Sequence, residues 1–284
     1  MTELSALPRP LVAVMSSGYF GFFAHAGFLQ GLADQGVEPD AYAGASSGAL
    51  VAAYAAAGMS PLEMLEGFNR LRRADFWDPP SALQCLRWLM GGLRGRTGWL
   101  AGEAFQRRVE ESLPCRTFEE CPKGCLMVAL DLVSNQRVVL TRGLLAPAVR
   151  ASGAVPLLFA AVPHAGGLLL DGGLVDKAPL VAAARHFHAA SLVVHLLPSA
   201  SLEGPPLGAL GKPLAAWRLQ RQAIDAARRQ HYADQVESLR QHGVIIVEIV
   251  ARDLPRLSPA RLNQGAEAFA QARRGAFPNK YQLL

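Results

Sequence analysis

Charge is what this chain has least of: 18% of its 284 residues are Asp, Glu, Lys or Arg, against 51% that are hydrophobic. So apolar a composition excludes an intrinsically disordered or collagen-like chain. Cysteine is scarce too, at Cys85, Cys115, Cys121 and Cys125. Their spacings form no paired C-x-x-C set and no nearby histidine completes a zinc site, so neither a disulfide scaffold nor a metal is expected, and reduced thiols in a cytoplasmic protein are. A positively charged leader with a small-residue cleavage site is missing, so no targeting segment is expected. Internal repeats and low-complexity tracts are absent.

The few charges are unevenly spread. Residues 200–284 carry 12 Lys+Arg and 7 Asp+Glu while residues 1–199 carry 16 of each, so the formal net charge of +5 lies wholly in the last third. Three windows in the first 199 residues carry no charge at all: Leu11 to Ala33, Ala41 to Leu62 and Ala151 to Leu170. Each is close to the roughly 20 residues that cross a bilayer. Gly, Pro, Ser or His interrupts every one of them, and alanine-rich runs insert weakly, so the windows read as buried core. A length of 284 suits one large domain, here 1–284, with a core at about 11–200 and C-terminal helices and a strand at 213–284.

Strand, tight turn and helix alternate along the core. Leu11 to Met15 is a short apolar run of the kind buried on both faces of a parallel sheet. The turn Ser16-Ser17-Gly18-Tyr19-Phe20-Gly21 leads into a helix ending near Gln35-Gly36. Asp40 to Ala43 is a second strand, Gly44 to Gly48 a second turn, and an Ala-rich helix follows to about Gly58 before Ser60-Pro61-Leu62-Glu63 caps a restart. Strands are expected at Cys125–Leu130, Arg137–Thr141, Ser191–Leu197 and Val244–Val250, with helices at Glu103–Ser112 and 214–241. This predicts a three-layer α/β/α fold around a mostly parallel sheet. Residues 70–102, with Phe76, Trp77, Trp88, Trp99, Pro79-Pro80 and Gly91-Gly92-Leu93-Arg94-Gly95, read as an insertion or lid, and Gly204 to Lys212 as a linker.

Gly44-Ala45-Ser46-Ser47-Gly48 is a GxSxG string, a weak signal alone. Between an apolar strand and a helix it acquires a mechanism: the glycines let strand and helix approach while the serine takes a strained conformation that exposes its Oγ. Ser46 is therefore the candidate nucleophile, and it needs a base and an oxyanion site. The loop Ser16–Gly21 opens a helix after a strand, so its N–H groups converge where an anion would sit. Gly18, Gly21, Ala24 and Gly27 also resemble a dinucleotide loop, but the end of the second strand, where a ribose-binding acid belongs, carries Gly44-Ala45-Ser46 instead. No histidine is well placed as the base: His25 sits on a helix face, His195 inside an apolar strand, and His231 and His242 on or after a charged helix. Asp171-Gly172-Gly173 is a carboxylate after an apolar run, read either as a base beside a close backbone approach or as a plain hairpin turn.

These strings together resemble the patatin-like phospholipase family over most of residues 11 to 200. The matching segments are SSGYFG at 16–21 with His25-Ala26-Gly27-Phe28-Leu29, GASSG at 44–48, Asp131-Leu132 before Val138-Val139-Leu140, Ala151 to Phe159, and Asp171-Gly172-Gly173. The resemblance implies a serine acyl hydrolase without cofactor, cleaving lipid or other acyl esters through a Ser–Asp dyad. Ser46 would be the nucleophile, Asp171 the general base, and Ser17, Gly18 and Tyr19 the oxyanion donors, with Gly21, Gly44, Gly48, Gly172 and Gly173 shaping the turns. An aspartate near ~3.9 is a poor base, so Asp171 must be desolvated and within hydrogen-bond reach of Ser46.

The chain departs from the family pattern in the first loop. Ser16 and Ser17 stand where glycines are usual, Phe20 where a basic residue is usual, and one extra residue separates Gly21 from His25. The serines are tolerated if neither position needs positive φ, and Tyr19, Phe20, Phe22 and Phe23 would make the mouth apolar. A second reading therefore stays open, a weakly active or inactive binding protein on the same fold. Arginines of the 214–241 helix alternate with Asp225, Asp234 and Glu237, which reads as a solvated face, with transient attraction to anionic lipid surfaces as the second option and no nucleic acid expected.

Overall fold

The computed structural model describes residues 4–81, 83, 85, 86, 90, 97–199 and 215–276, with side chains of the last segment from Arg218 onward. Trp88, the Gly91–Gly95 stretch and the 204–212 linker lie outside the described residues. The chain opens with β1 (Leu11–Met15), α1 (Phe22–Asp34), β2 (Ala41–Ala45) and α2 (Ser47–Ala56), both strands buried along their whole length. Helix α3 (Pro61–Asn69) starts on a capping box in which Ser60 and Glu63 satisfy each other's backbone N–H groups. After β3 (Gly98–Leu100) and α4 (Glu103–Ser112) come β4 (Gly124–Asp131), β5 (Gln136–Leu140) and α5 (Leu145–Ser152). Short strands β6 (Leu157–Phe159), β7 (Val162–His164) and β8 (Gly167–Asp171) precede α6 (Leu180–Phe187) and β9 (Ser191–Leu196). Helix α7 (Ala215–Gln241), β10 (Ile245–Val250) and α8 (Gly265–Gly275) complete the order.

The main sheet runs β10-β9-β1-β2-β4-β8-β7, with β5 on the other edge of β4. Strands β10, β9, β1, β2 and β4 are mutually parallel, whereas β5 and β8 run antiparallel to β4. Alternation of side chains sorts the core onto two faces. Leu11, Ala13 and Met15 of β1 join α1, α2, α5 and α8 on one face; Val12 and Val14 join α6 and α7 on the other. Helices thus cover both sides of a mostly parallel sheet, the three-layer arrangement expected from the alternating pattern.

Two of the uncharged windows are each a short buried strand followed by a buried helix, and no helix among the described residues is long and apolar enough to cross a membrane. Helix α1 is buried from Phe22 to Leu29 because α8 lies over its outer side: a Cβ on Gly27 would collide with the Phe269 carbonyl. The third window departs from the buried-core expectation. Ala151, Ser152, Ala161, Leu169 and Leu170 are buried, but Leu157, Pro163, His164, Ala165, Gly166 and Leu168 are exposed. It forms an edge hairpin, β7 against β8, and an edge strand keeps only part of its surface under cover. Helix α5, unpredicted from the sequence, accommodates Pro147 within its first turn, where a missing N–H costs nothing.

In the 70–102 segment, Phe76 is buried between Phe20 and Phe105, at centroid distances of 5.3 Å to each. Trp77 and Trp99 are exposed, and β3 pairs with β6 in a separate two-stranded sheet.

Candidate active site

The register of β4 decides what meets at the edge of the sheet. Ala45 at the end of β2 pairs with Val128, and Asp171 at the end of β8 pairs with the next residue, Ala129. Since β5 occupies the other edge of β4 along the same residues, β2 and β8 abut end to end on one edge. Ser46, the residue after Ala45, is thereby delivered to Asp171: its Oγ donates to Asp171 Oδ2 at 2.8 Å.

Ser46 sits at φ 55°, ψ −117°, outside the regions an L-residue favours, between the last residue of β2 and the first of α2. The flanking glycines are required by space. A Cβ on Gly44 would strike the Gly48 carbonyl, and one on Gly48 the Met15 carbonyl of β1. Ser152, fully buried at the end of α5, accepts the Ser46 N–H at 3.0 Å and pins the turn from the other side.

Asp171 is 6% exposed. Burial lifts its carboxyl to about 6, against the opposing pull of the Ser46 hydroxyl, the Gly173 N–H and the Arg228 guanidinium. Its Oδ1 accepts the Gly173 N–H at 2.6 Å. The Asp-Gly-Gly string is therefore no hairpin: it closes β8 into a 3-10 turn over Gly172–Leu174. A Cβ on Gly172 would meet the Val128 carbonyl and one on Gly173 the Ser17 side chain, so both glycines let this turn lie against its neighbours.

The Ser16–Gly21 loop lies over the same turn. Ser16 donates its N–H to the His195 carbonyl at 3.1 Å and its Oγ accepts the Leu197 N–H at 2.8 Å. Neither Ser16 nor Ser17 has positive φ; in this loop only Phe20 does, at 55°. One of the three expected oxyanion donors is otherwise engaged, since the Ser17 N–H is donated to the Lys177 carbonyl at 2.7 Å. The N–H groups of Gly18 and Tyr19 have no protein acceptor among the described residues. The apolar mouth is also smaller than expected: Tyr19 is 56% exposed, but Phe22 and Phe23 turn into the core.

None of the histidines considered above hydrogen-bonds Ser46 or Asp171. His25 and His195 form a buried pair, Nδ1 to Nδ1 at 2.8 Å, with His25 Nε2 on the Ser16 carbonyl at 2.8 Å. A carbonyl only accepts, so His25 carries its proton on Nε2 and takes the Nδ1–H of His195. Burial drops His25 to about 3 and His195 well below its usual range, leaving both neutral. His231 binds Asp176 at 3.1 Å. Glu38 and Asp40, the acids about 20 residues after the glycines of a dinucleotide-like loop, precede β2 and so lie at the end of the parallel sheet opposite the loop that follows β1. Among the described residues no group of three or more His, Cys, Asp or Glu could hold a metal ion, and the four cysteines are free thiols.

Two residues near the site had no assigned role in the sequence. Ser152 lies within the matched 151–159 string, but only the fold shows what its hydroxyl binds. Arg228 comes from the helix read as a solvated face; its side chain is instead largely buried, with Nη2 donating to Ser17 Oγ and Nη1 to Asp225 Oδ1 at 2.8 Å. The signal available for it was helical spacing, since Arg228, Tyr232, Gln235, Val236 and Leu239 fall on one side of α7.

Comparison with known proteins matches residues 13–184 to the patatin-like phospholipase family. An uncharacterised NTE family protein of Mycobacterium bovis is 31% identical over 178 residues, 60% of this chain and 27% of that protein. Another, of Mycobacterium tuberculosis, is 31% identical over 176 residues, 62% of this chain and 46% of that protein. The chain thus spans less than half the length of these relatives. In architecture it is similar to VipD from Legionella pneumophila, with a TM-score of 0.50 at 15% identity over 95% of this chain and 66% of that one.

Proposed function

Because this chain belongs to the patatin-like phospholipase family, we propose that it is a serine acyl hydrolase that cleaves lipid acyl esters through Ser46 and Asp171. The observation that carries this reading is the 2.8 Å hydrogen bond from the Ser46 hydroxyl to a buried carboxylate. As Ser46 Oγ attacks the ester carbonyl, its proton passes to Asp171 Oδ2. The developing oxyanion is received by the N–H groups of Gly18 and Tyr19, assisted by the N-terminal end of α2. Collapse of the tetrahedral intermediate breaks the ester C–O bond, and Asp171 returns the proton to the departing alcohol. A water molecule then attacks the acyl-Ser46, with Asp171 again taking and returning the proton.

The strained φ of Ser46 and the raised carboxyl of Asp171 both support this assignment over a binding role. A fluorophosphonate probe tests it without knowledge of the natural substrate. Labelling on Ser46, lost in Ser46→Ala, is the expected outcome; an intact protein that takes no label would favour the inactive binding protein.

A further inference from the structure

From Ser16 to Gly21 the oxyanion loop has no charged side chain, so any positive charge beside the site has to come from another element. Helix α7 presents Arg228, His231 and Gln235 at i, i+3 and i+7, and all three reach the loops that carry the site. Arg228 Nη2 donates to Ser17 Oγ. His231 Nε2 and Gln235 Nε2 lie 3.1 and 2.9 Å from Asp176 Oδ1, and Gln235 Oε1 accepts the Val181 N–H at 3.1 Å. Asp176 is fully buried, binds Arg137 Nη1 at 2.7 Å and donates its N–H to the Gly172 carbonyl at 2.9 Å, directly after Asp171. The contact face of α7 is therefore fastened at two points beside the turn that follows Asp171, at Ser17 and at Asp176.

We propose that Arg228 is a positioning residue of this site: through Ser17, which lies against the Asp171–Gly173 turn, it holds the oxyanion loop in place and sets its guanidinium beside that turn. The proposal rests on the Ser46–Asp171 reading for its catalytic consequence. Its geometry has a feature that a local ion pair lacks. The bond to Asp225 closes within one turn of α7, but the second arm crosses 211 positions of sequence to reach the loop.

The charges around it are few enough to sort. Burial dominates the surroundings of Asp171, the Ser46 hydroxyl and the Gly173 N–H come next, and among the described residues the charge that acts on it, more weakly, is that of Arg228. Arg228 itself is faced by Asp225 and by Lys177, whose carbonyl receives the Ser17 N–H and whose ammonium, lowered to about 8 by burial and by Arg228, donates to Ser199 Oγ at 2.7 Å. Arg229 also acts on Lys177, and Arg221 on Tyr19. His25 and His195, beneath Ser16, are neutral. Burial raises the Asp171 carboxyl and the guanidinium opposes that rise, so loss of Arg228 must move Asp171 further upward.

The test compares Arg228→Gln, Arg228→Lys and Ser17→Ala with the wild type by two readouts. One is the pH profile of kcat/KM on a p-nitrophenyl ester; the other is the Asp171 titration followed by carboxyl carbon NMR, assigned against Asp171→Asn. Arg228→Gln is expected to raise the acid limb and the Asp171 midpoint by up to about 1 unit, lowering the rate on the acid side by up to about tenfold. Arg228→Lys should restore the midpoint while leaving the rate low, and Ser17→Ala should lower kcat without moving the midpoint. An unchanged midpoint in Arg228→Gln overturns the proposal, whatever its rate. Should Arg228→Gln not fold, a midpoint in Arg228→Lys like that of the wild type, with kcat reduced in both remaining variants, supports it and unreduced kcat overturns it. If the wild type hydrolyses no ester, the hydrolase reading fails while the NMR midpoints still decide the role of Arg228.

Discussion

Ser46 and Asp171 each hold a state that is unfavourable for the isolated residue. Ser46 keeps positive φ because its turn is gripped by Gly44, Gly48 and the Ser152 hydroxyl. Backbone strain of this kind costs on the order of 1–3 kcal/mol, and a glycine relieves most of it. Ser46→Gly is accordingly expected to raise the melting temperature by a few degrees while abolishing hydrolysis, a trade visible by thermal denaturation. Asp171 works in the opposite sense to an exposed carboxylate: burial lifts it to about 6, so it is protonated and useless as a base below that pH. The rate on a neutral ester should fall along a single acid limb centred near 6, and a limb near 4 would mean that the carboxylate is solvated. The serine was readable from its pentapeptide. Its partner was not separable from a plain Asp-Gly turn on spacing alone, because what distinguishes them is the β4 register that brings Ala45 and Asp171 to adjacent residues.

At the scale of elements, β1, α1, β2 and α2 were legible because uncharged runs broken by short Gly/Ser turns leave little choice but buried strand and helix. The same rule misled at Ala151 to Leu170, where lack of charge coincided with an edge hairpin and an exposed Leu157 at φ 68°. Helix α5 was hidden by a proline whose position in the first turn makes it harmless. Contact between elements explains which glycines matter. Gly48→Ala would drive a methyl into the Met15 carbonyl where β1, the elbow and α2 converge; loss of the soluble folded protein is expected. Gly67→Ala in α3 meets nothing within 4 Å and should be neutral or stabilising by about 0.5–1 kcal/mol. Chemical denaturation of the two variants makes the contrast measurable.

Over the whole molecule, the last third of the chain is not an appendage to the core. Helix α8 covers α1, where Phe269 is buried and Arg273 binds Asp34 at 2.5 Å, and α7 reaches the Ser16–Gly21 loop through Arg228. The net positive charge confined to residues 200–284 thus has one member turned inward, something a count of alternating charges along a helix could not reveal. Phe269→Ala should cost about 3 kcal/mol by leaving a cavity between α1 and α8, and calorimetry would register it as a lower transition temperature. Family membership was legible from ordered motifs spread over the core, whereas the contribution of the C-terminal helices depends on long-range packing that no local string records.

The measurement that bears most directly on the account is turnover of a medium-chain ester by Asp171→Asn beside the wild type. An amide cannot take the Ser46 proton, so a loss of about a thousandfold or more is predicted in a variant that still folds. Hydrolysis by folded Asp171→Asn at close to the wild-type rate would contradict the assignment of Asp171 as the base.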